Sequence, residues 1–284
     1  MDQETRRGAT LIAPPLLYAL ALLAVPLGAV LVFSFWTQDY LTVDRTPTLA
    51  NYVKAATDPI YRTILGRSLV ISGAVTVLTV LLAFPVAYYV SFHVRPDRKS
   101  LWLFLITIPF WTSYLLRIFL WKVMLGYNGV INSALTGLGI IDEPLTFILY
   151  NANAVVLTLS HAFAPFAILP IFVALEKIDR SLLEASRDLG ETGVTTFFRV
   201  TLPLALPGVI AAILIVFIPT VGDYVTPAQV GGSEGTMIAN LIQAHFGGLN
   251  DAPMGATLSI VAMASVTVIA LALVWATRKL GGAR

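Results

Sequence analysis

The chain has no cysteine, which excludes disulfides, thiolate metal sites and cysteine nucleophiles. Charge is scarce as well: Asp, Glu, Lys and Arg make up 12% of the 284 residues, against 57% hydrophobic. A soluble domain carries about a quarter charged residues. With a mean hydropathy of +0.82, the chain reads as a polytopic membrane protein. Histidine is sparse too, and His93, His161 and His245 are too scattered to suggest a metal site. A G-x-x-x-x-G-K-S/T phosphate loop is absent, so the chain does not bind ATP in the usual way. No Ser/His/Asp grouping, H-E-x-x-H or carboxylate pair stands out within an apolar span, which makes an enzyme the weaker class.

What is present is apolar length. A spanning helix needs about 20 mostly apolar residues, and six segments qualify, at approximately 9–36, 68–92, 101–125, 152–175, 204–222 and 254–277. The first holds about 25 apolar residues, too long for a signal-peptide core, so it reads as a retained helix. Prolines at 14, 15, 26, 85, 109, 165, 170, 207 and 219 fall inside the spans. Neighbouring helices or water can satisfy the carbonyls they free, and kinks are expected. Small residues such as Gly73, Gly208, Ala212 and Gly255 allow close helix contacts. The expected fold is an all-α integral membrane protein with six transmembrane helices in one domain, 1–284.

The sign of the loops sets the orientation. Arg6, Arg7, Arg95, Arg98, Lys99, Lys177, Arg180, Arg187, Arg199, Arg278, Lys279 and Arg284 fall on one side. The opposite side holds Arg45, Lys54 and Arg62 in its first loop and no Lys or Arg in the other two. The positive-inside rule places both termini, and the loop over 176–203, in the cytoplasm.

That loop is the longest charged interval, and 177–203 reads as two short amphipathic helices joined at a glycine. Ser181 and Glu184 have the spacing of a capping box. Leu182, Leu183 and Leu189 can share one flank, and Gly190 is placed to end the helix in a left-handed turn. A second helix is expected from about Thr192 through Phe197 and Phe198 until Pro203 ends it. A membrane protein with a structured loop of this kind and no ATP site suggests the permease subunit of a multi-subunit pump.

Glu184-Ala185-Ser186, then Gly190, then Val200-Thr201-Leu202-Pro203 resembles the E-A-A-x-x-x-G-x9-I-x-L-P signature of ABC importer permeases, with Ser186 for the second alanine and Val200 for isoleucine. The resemblance widens to Pro109-Phe110-Trp111-Thr112-Ser113 with Arg117, Phe217-Ile218-Pro219 with Gly222-Asp223-Tyr224, and Gly231-Gly232. Together these are similar to the PotB/PotH-type permeases of spermidine/putrescine importers. One departure is Asp251-Ala252-Pro253, where relatives often have an aromatic between acid and proline. The resemblance implies a type I importer permease in the bacterial cytoplasmic (inner) membrane. Glu184, Ala185, Ser186, Gly190, Leu202 and Pro203 would couple it to the ATPase. It also implies two ATPase subunits that bind ATP and magnesium, a second, homologous permease subunit, and an outer substrate-binding protein. No metal, cofactor or nucleic acid is implied for this chain. A permease for another small solute, such as an amino-acid derivative, opine or quaternary amine, is the alternative. A gradient-driven secondary transporter would need acidic residues at the midplane and paired interrupted helices, and leaves the loop unexplained.

Three residues are candidates for the substrate pathway. Trp111 lies about 15 Å into the third span at 1.5 Å per residue; it can face a cation through its ring or pack against lipid and protein. Asp223 and Tyr224 follow Pro219 at the end of the fifth span. A carboxylate there can meet a polyamine, or cap a loop or pair with a basic residue. Arg117 is expected to pair with a carboxylate or carbonyls, Lys122 to snorkel to the interface, and His161 to be a hydrogen-bonded packing residue. Tyr88 and Tyr89 are expected in an interfacial belt.

Overall fold

The computed structural model describes residues 3–281. The chain order begins α1 (Gln3–Phe33), a hairpin of β1 (Thr37–Asp39) and β2 (Thr42–Asp44), α2 (Ala50–Thr57), α3 (Pro59–Phe92), α4 (Pro96–Thr107), α5 (Tyr114–Met124) and α6 (Val130–Gly137). It continues with α7 (Ala152–Glu176), α8 (Arg180–Asp188), α9 (Gly193–Thr196), α10 (Leu202–Val221), α11 (Ile238–Phe246) and α12 (Ala252–Gly281). Five helical stretches are long and apolar enough to cross a bilayer, and the bent pair α4–α5 is a sixth candidate. The chain is an all-α membrane protein apart from the hairpin, which pairs Thr37 with Asp44 and Asp39 with Thr42. Of the basic residues used for orientation, Arg284 lies outside the described residues, and Arg6, Arg7, Arg278 and Lys279 are described in backbone only.

Three expected boundaries differ, each for a local reason. The second span begins at Pro59 rather than near 68. Arg62 and Arg67 dilute the apolar signal there, but Asp58 accepts from the Ile60 N–H at 2.8 Å. Pro59 sits in the first turn, where its missing N–H costs nothing. At 34 residues, α3 is about 51 Å long, well beyond the apolar thickness of about 30 Å.

The third span, expected to run unbroken over 101–125, is interrupted. A 3-10 turn at Ile108–Trp111 follows α4, and the two helices meet at 86°. Pro109 removes one donor, Thr112 and Ser113 are extended, and the Thr112 hydroxyl donates to the freed Pro109 carbonyl at 2.8 Å.

Pro203 does not end the second loop helix. The chain passes from α9 through a π turn at Phe197–Thr201 straight into α10. The wider π turn immediately before Pro203 makes room for a ring that would otherwise clash with the carbonyl four residues back.

The described residues divide into two compact units. In the one holding the chain up to Arg62 with Leu241–Ala264, Asn51 of α2 donates to the Trp36 carbonyl at 3.0 Å. Thr257 of α12 donates to the Ser34 carbonyl, also at 3.0 Å. Asp251 caps α12 by accepting from the Met254 N–H at 3.1 Å. The acid of the Asp251-Ala252-Pro253 segment therefore has a structural duty.

The other unit is built on α7 and α10. Asn151 starts α7 by accepting from the N–H groups of Asn153 and Ala154. Val75, Ala87, Leu159, Ile171, Ala212 and Val216 are buried in one apolar cluster shared by α3, α7 and α10. The two helices approach closely at Gly208, where an added Cβ would lie 2.5 Å from both the Pro170 carbonyl and the Ala174 side chain. Gly208→Val is therefore expected to cost about 1–3 kcal/mol through overpacking, lowering the melting temperature of the purified protein by about 5 °C. An unchanged melting temperature would mean that α7 and α10 part without cost.

Candidate functional site

The first candidate surface is the loop between α7 and α10. Asp179, not Ser181, starts α8: its carboxylate accepts from the Ser181 N–H at 3.0 Å. That bond holds the Asp179 carboxyl below its ordinary range. A carboxylate two residues upstream reaches the free N–H groups first and also suits the positive end of the helix, so the Ser181/Glu184 capping box does not form. Glu184 and Ala185 are instead exposed on α8. Leu183 turns inward, while Leu182 and Leu189 stay exposed. Neighbours on a helix lie about 100° apart, and the three leucines cannot share one flank.

Ser186 is buried, and its hydroxyl meets that of Thr196 at 2.9 Å. It thus fastens α8 to α9, a role that its size alone does not suggest. Gly190 has φ +84° and closes α8 in a Schellman turn. Its N–H donates to the Arg187 carbonyl at 2.9 Å, and the Glu191 N–H donates to the Ser186 carbonyl at 3.2 Å. The turn is braced by an ion pair between Arg199 and Glu191.

Leu182 of α8, Leu189 just past its end, Val194 of α9 and Phe198 of the π turn are all exposed, Leu189 by 85%. Leu202 and Pro203 are half-buried at the start of α10. A cleft of about 310 Å³ opens between the end of α3 and α8–α9, walled by Tyr88, Phe92, Arg180, Leu183, Thr196 and Phe197. Tyr88 stacks within this aromatic wall, 4.6 Å from Phe92. Tyr89 is half-exposed and stacks on His93.

The second candidate region surrounds the α4–α5 break. Trp111 is 75% exposed on the 3-10 turn, edge-on to Phe104 at 5.4 Å. Asp223 is 9% exposed, and its carboxylate is engaged. It accepts from the Tyr114 hydroxyl at 2.6 Å and from the Val225 N–H at 2.9 Å. The same hydroxyl meets Thr226 Oγ1 at 3.0 Å. The first residue of α5 is thereby held to the turn after α10. Tyr224 is half-exposed, and its carbonyl accepts from the Asn240 side chain at 2.7 Å.

Asp223 therefore has the capping role and can also offer charge at the break. No hydrogen bond or ring contact joins Trp111 to Asp223 among the described residues. Tyr114 was not a sequence candidate; its one signal was its place directly after the Pro109 segment.

Arg117 finds a carbonyl rather than a carboxylate. Its Nη1 lies 3.5 Å from the Ala162 oxygen and its guanidinium 5.5 Å from the Phe110 ring, while its Nε is buried without a hydrogen-bond partner. Lys122 donates to the Gln229 side chain at 3.1 Å rather than snorkelling freely. His161 accepts from the Trp121 indole N–H at 3.2 Å, as expected of a hydrogen-bonded residue, but it is exposed rather than packed inside. No group of three or more metal-ligating side chains occurs among the described residues.

Residues 10–280 match the family described as binding-protein-dependent transport system inner membrane component. The chain is 38% identical over 237 residues to the spermidine/putrescine transport system permease protein PotB of Haemophilus influenzae, covering 83% of this chain and 82% of that one. Against PotB of Escherichia coli the figures are 36% over 228 residues, 80% and 82%. Among solved structures, a bacterial alginate ABC transporter in complex with an alginate-bound periplasmic protein contains a chain of the same fold. Its TM-score is 0.74, with 98% of this chain and 96% of that one covered at 16% identity.

Proposed function

The chain belongs to the family of binding-protein-dependent transport system inner membrane components, and from that premise we propose that it is the permease through which an ATP-driven importer moves polyamines. It is a multi-pass inner-membrane protein of the ABC importer type and not itself an enzyme. The likeness to spermidine/putrescine permeases over four-fifths of the chain carries the substrate reading.

Residues 1–284 act as one transmembrane domain that supplies half of the pathway, with a second, homologous permease supplying the other half. Both termini and the loop over 176–203 face the cytoplasm. There Glu184, Ala185, Ser186 and Gly190 dock on one of two ATPase subunits, which bind ATP and magnesium, while Leu202 and Pro203 carry the motion into α10. An outer binding protein delivers the substrate. ATP-driven closure of the ATPases moves the loop, the helices open outward, and hydrolysis resets them. Trp111, Asp223 and Tyr224 line the route, an exposed aromatic and a carboxylate being groups that attract an ammonium.

One observation favours a second reading. The poorly paired guanidinium of Arg117 suits a solute bearing a carboxylate as well as an amine, such as an amino-acid derivative or opine.

The test is reconstitution of the full complex in proteoliposomes with labelled spermidine and competing putrescine, arginine and octopine. Polyamine import predicts ATP-dependent uptake without any ion gradient, stimulated by the loaded binding protein and inhibited by putrescine. Inhibition by octopine alone would support the second reading. Uptake driven by a gradient without the ATPase would refute both.

A further inference from the structure

Only three residues, 177–179, separate α7 from α8, so a push on α8 could be absorbed there instead of reaching the helices that must move. The structure answers this with one carboxylate. Glu176, the last residue of α7, accepts from the Ser91 hydroxyl of α3 at 2.6 Å. It accepts from Lys99 Nζ of α4 at 2.7 and 2.9 Å, and from Arg180 Nη2 of α8 at 3.3 Å. Arg180 closes the set by donating to the Ser91 carbonyl at 3.0 Å and lying 3.9 Å over the Phe92 ring.

An exposed ion pair contributes only about 0–1 kcal/mol, and the Arg180 arm, with that side chain 41% exposed, is of that kind; the Lys99 and Ser91 arms lie deeper. Ser91 is 2% exposed, the Lys99 side chain is 17% exposed, and four separate helices converge on one group. Two cations share a single anion, so neutralising Glu176 leaves like charges facing each other.

We infer that Glu176 is a positioning residue for transport: it locks the start of α8 to the ends of α3, α4 and α7, so that the ATPase stroke moves these ends as one body. The inference rests on the proposed coupling role of the loop. None of the four residues Ser91, Lys99, Glu176 and Arg180 belongs to the signature residues, and no hydrogen bond or ion pair joins them to the translocation candidates among the described residues.

The test measures spermidine transported per ATP hydrolysed by the reconstituted complex, together with recovery of the assembled complex. Glu176→Gln is expected to lower that ratio about fivefold or more. The double variant Lys99→Met with Glu176→Gln removes the like-charge repulsion without restoring the lock. It should assemble in native yield and still show the lowered ratio, which a purely structural role would not produce. A native ratio in the assembled double variant would overturn the inference, and so would failure of both variants to assemble. Gly190→Val run in parallel separates the two ideas. If it lowers the ratio while the Glu176 variants do not, only the lock is refuted; if none of them lowers it, the coupling role of the loop fails.

Discussion

Gly190→Val is expected to lower ATP-dependent uptake by the reconstituted complex about tenfold or more, at native yield of the assembled complex. The residue sits at φ +84°, a region that costs a non-glycine residue about 1–2 kcal/mol and a β-branched one more. Since about 1.4 kcal/mol is tenfold in an equilibrium, valine shifts most molecules out of the Schellman turn. The two hydrogen bonds that end α8 go with it. The Ser186–Thr196 bond then no longer holds α8 against α9, and the exposed Leu182, Leu189, Val194 and Phe198 no longer keep their places.

Space within this chain is not the constraint, because nothing lies within 4 Å of an added Cβ at Gly190. Gly190→Asn should therefore retain most of the uptake, asparagine being the side chain that best tolerates the left-handed region. Equal loss in both variants would shift the explanation to crowding against the docked ATPase. Full activity in the valine variant would remove 177–203 from the coupling path.

The loop was legible in the sequence because its determinants are local. Glu184-Ala185-Ser186, Gly190 and Leu202-Pro203 stand within twenty residues of one another, and a left-handed glycine after an amphipathic turn has a spacing of its own. The six apolar spans were legible for the same reason, each being a run of chain. What stayed hidden depends on pairs distant in sequence. Tyr114 and Asp223 are 109 positions apart, and Ser91 and Glu176 are 85 apart, so no local pattern predicts either bond. Pro109 announced a kink but not a turn of 86°, because the angle is set by Thr112 and Ser113 remaining extended. The choice of Asp179 over Ser181 as the cap was a competition between two good capping residues, decided by which one reaches the first free N–H. The π turn stayed hidden because a proline at 203 reads equally well as the end of a helix.

Asp223→Asn is expected to reduce uptake of spermidine about tenfold or more while leaving assembly near native. Asparagine is nearly isosteric, and its oxygen can still accept from the Val225 N–H as the carboxylate does at 2.9 Å, so the turn after α10 keeps its cap. What disappears is the charge. An ammonium about 4 Å from a carboxylate gains about 4 kcal/mol at an effective dielectric constant of about 20. A tenfold effect asks for only a third of that.

Tyr114→Phe supplies the contrast. It deletes the hydroxyl that donates to Asp223 at 2.6 Å but keeps the carboxylate charged and frees one of its oxygens. If Asp223 attracts the substrate, Tyr114→Phe should leave the apparent KM for uptake unchanged or lower, while Asp223→Asn raises it. If Asp223 serves only to tie α5 to the turn, both variants should lose thermal stability in parallel, and neither should alter KM in the molecules that remain folded. A KM raised in the asparagine variant but not in the phenylalanine variant thus places the carboxylate at the helix break in the pathway, and a KM unaltered in both leaves it to the scaffold.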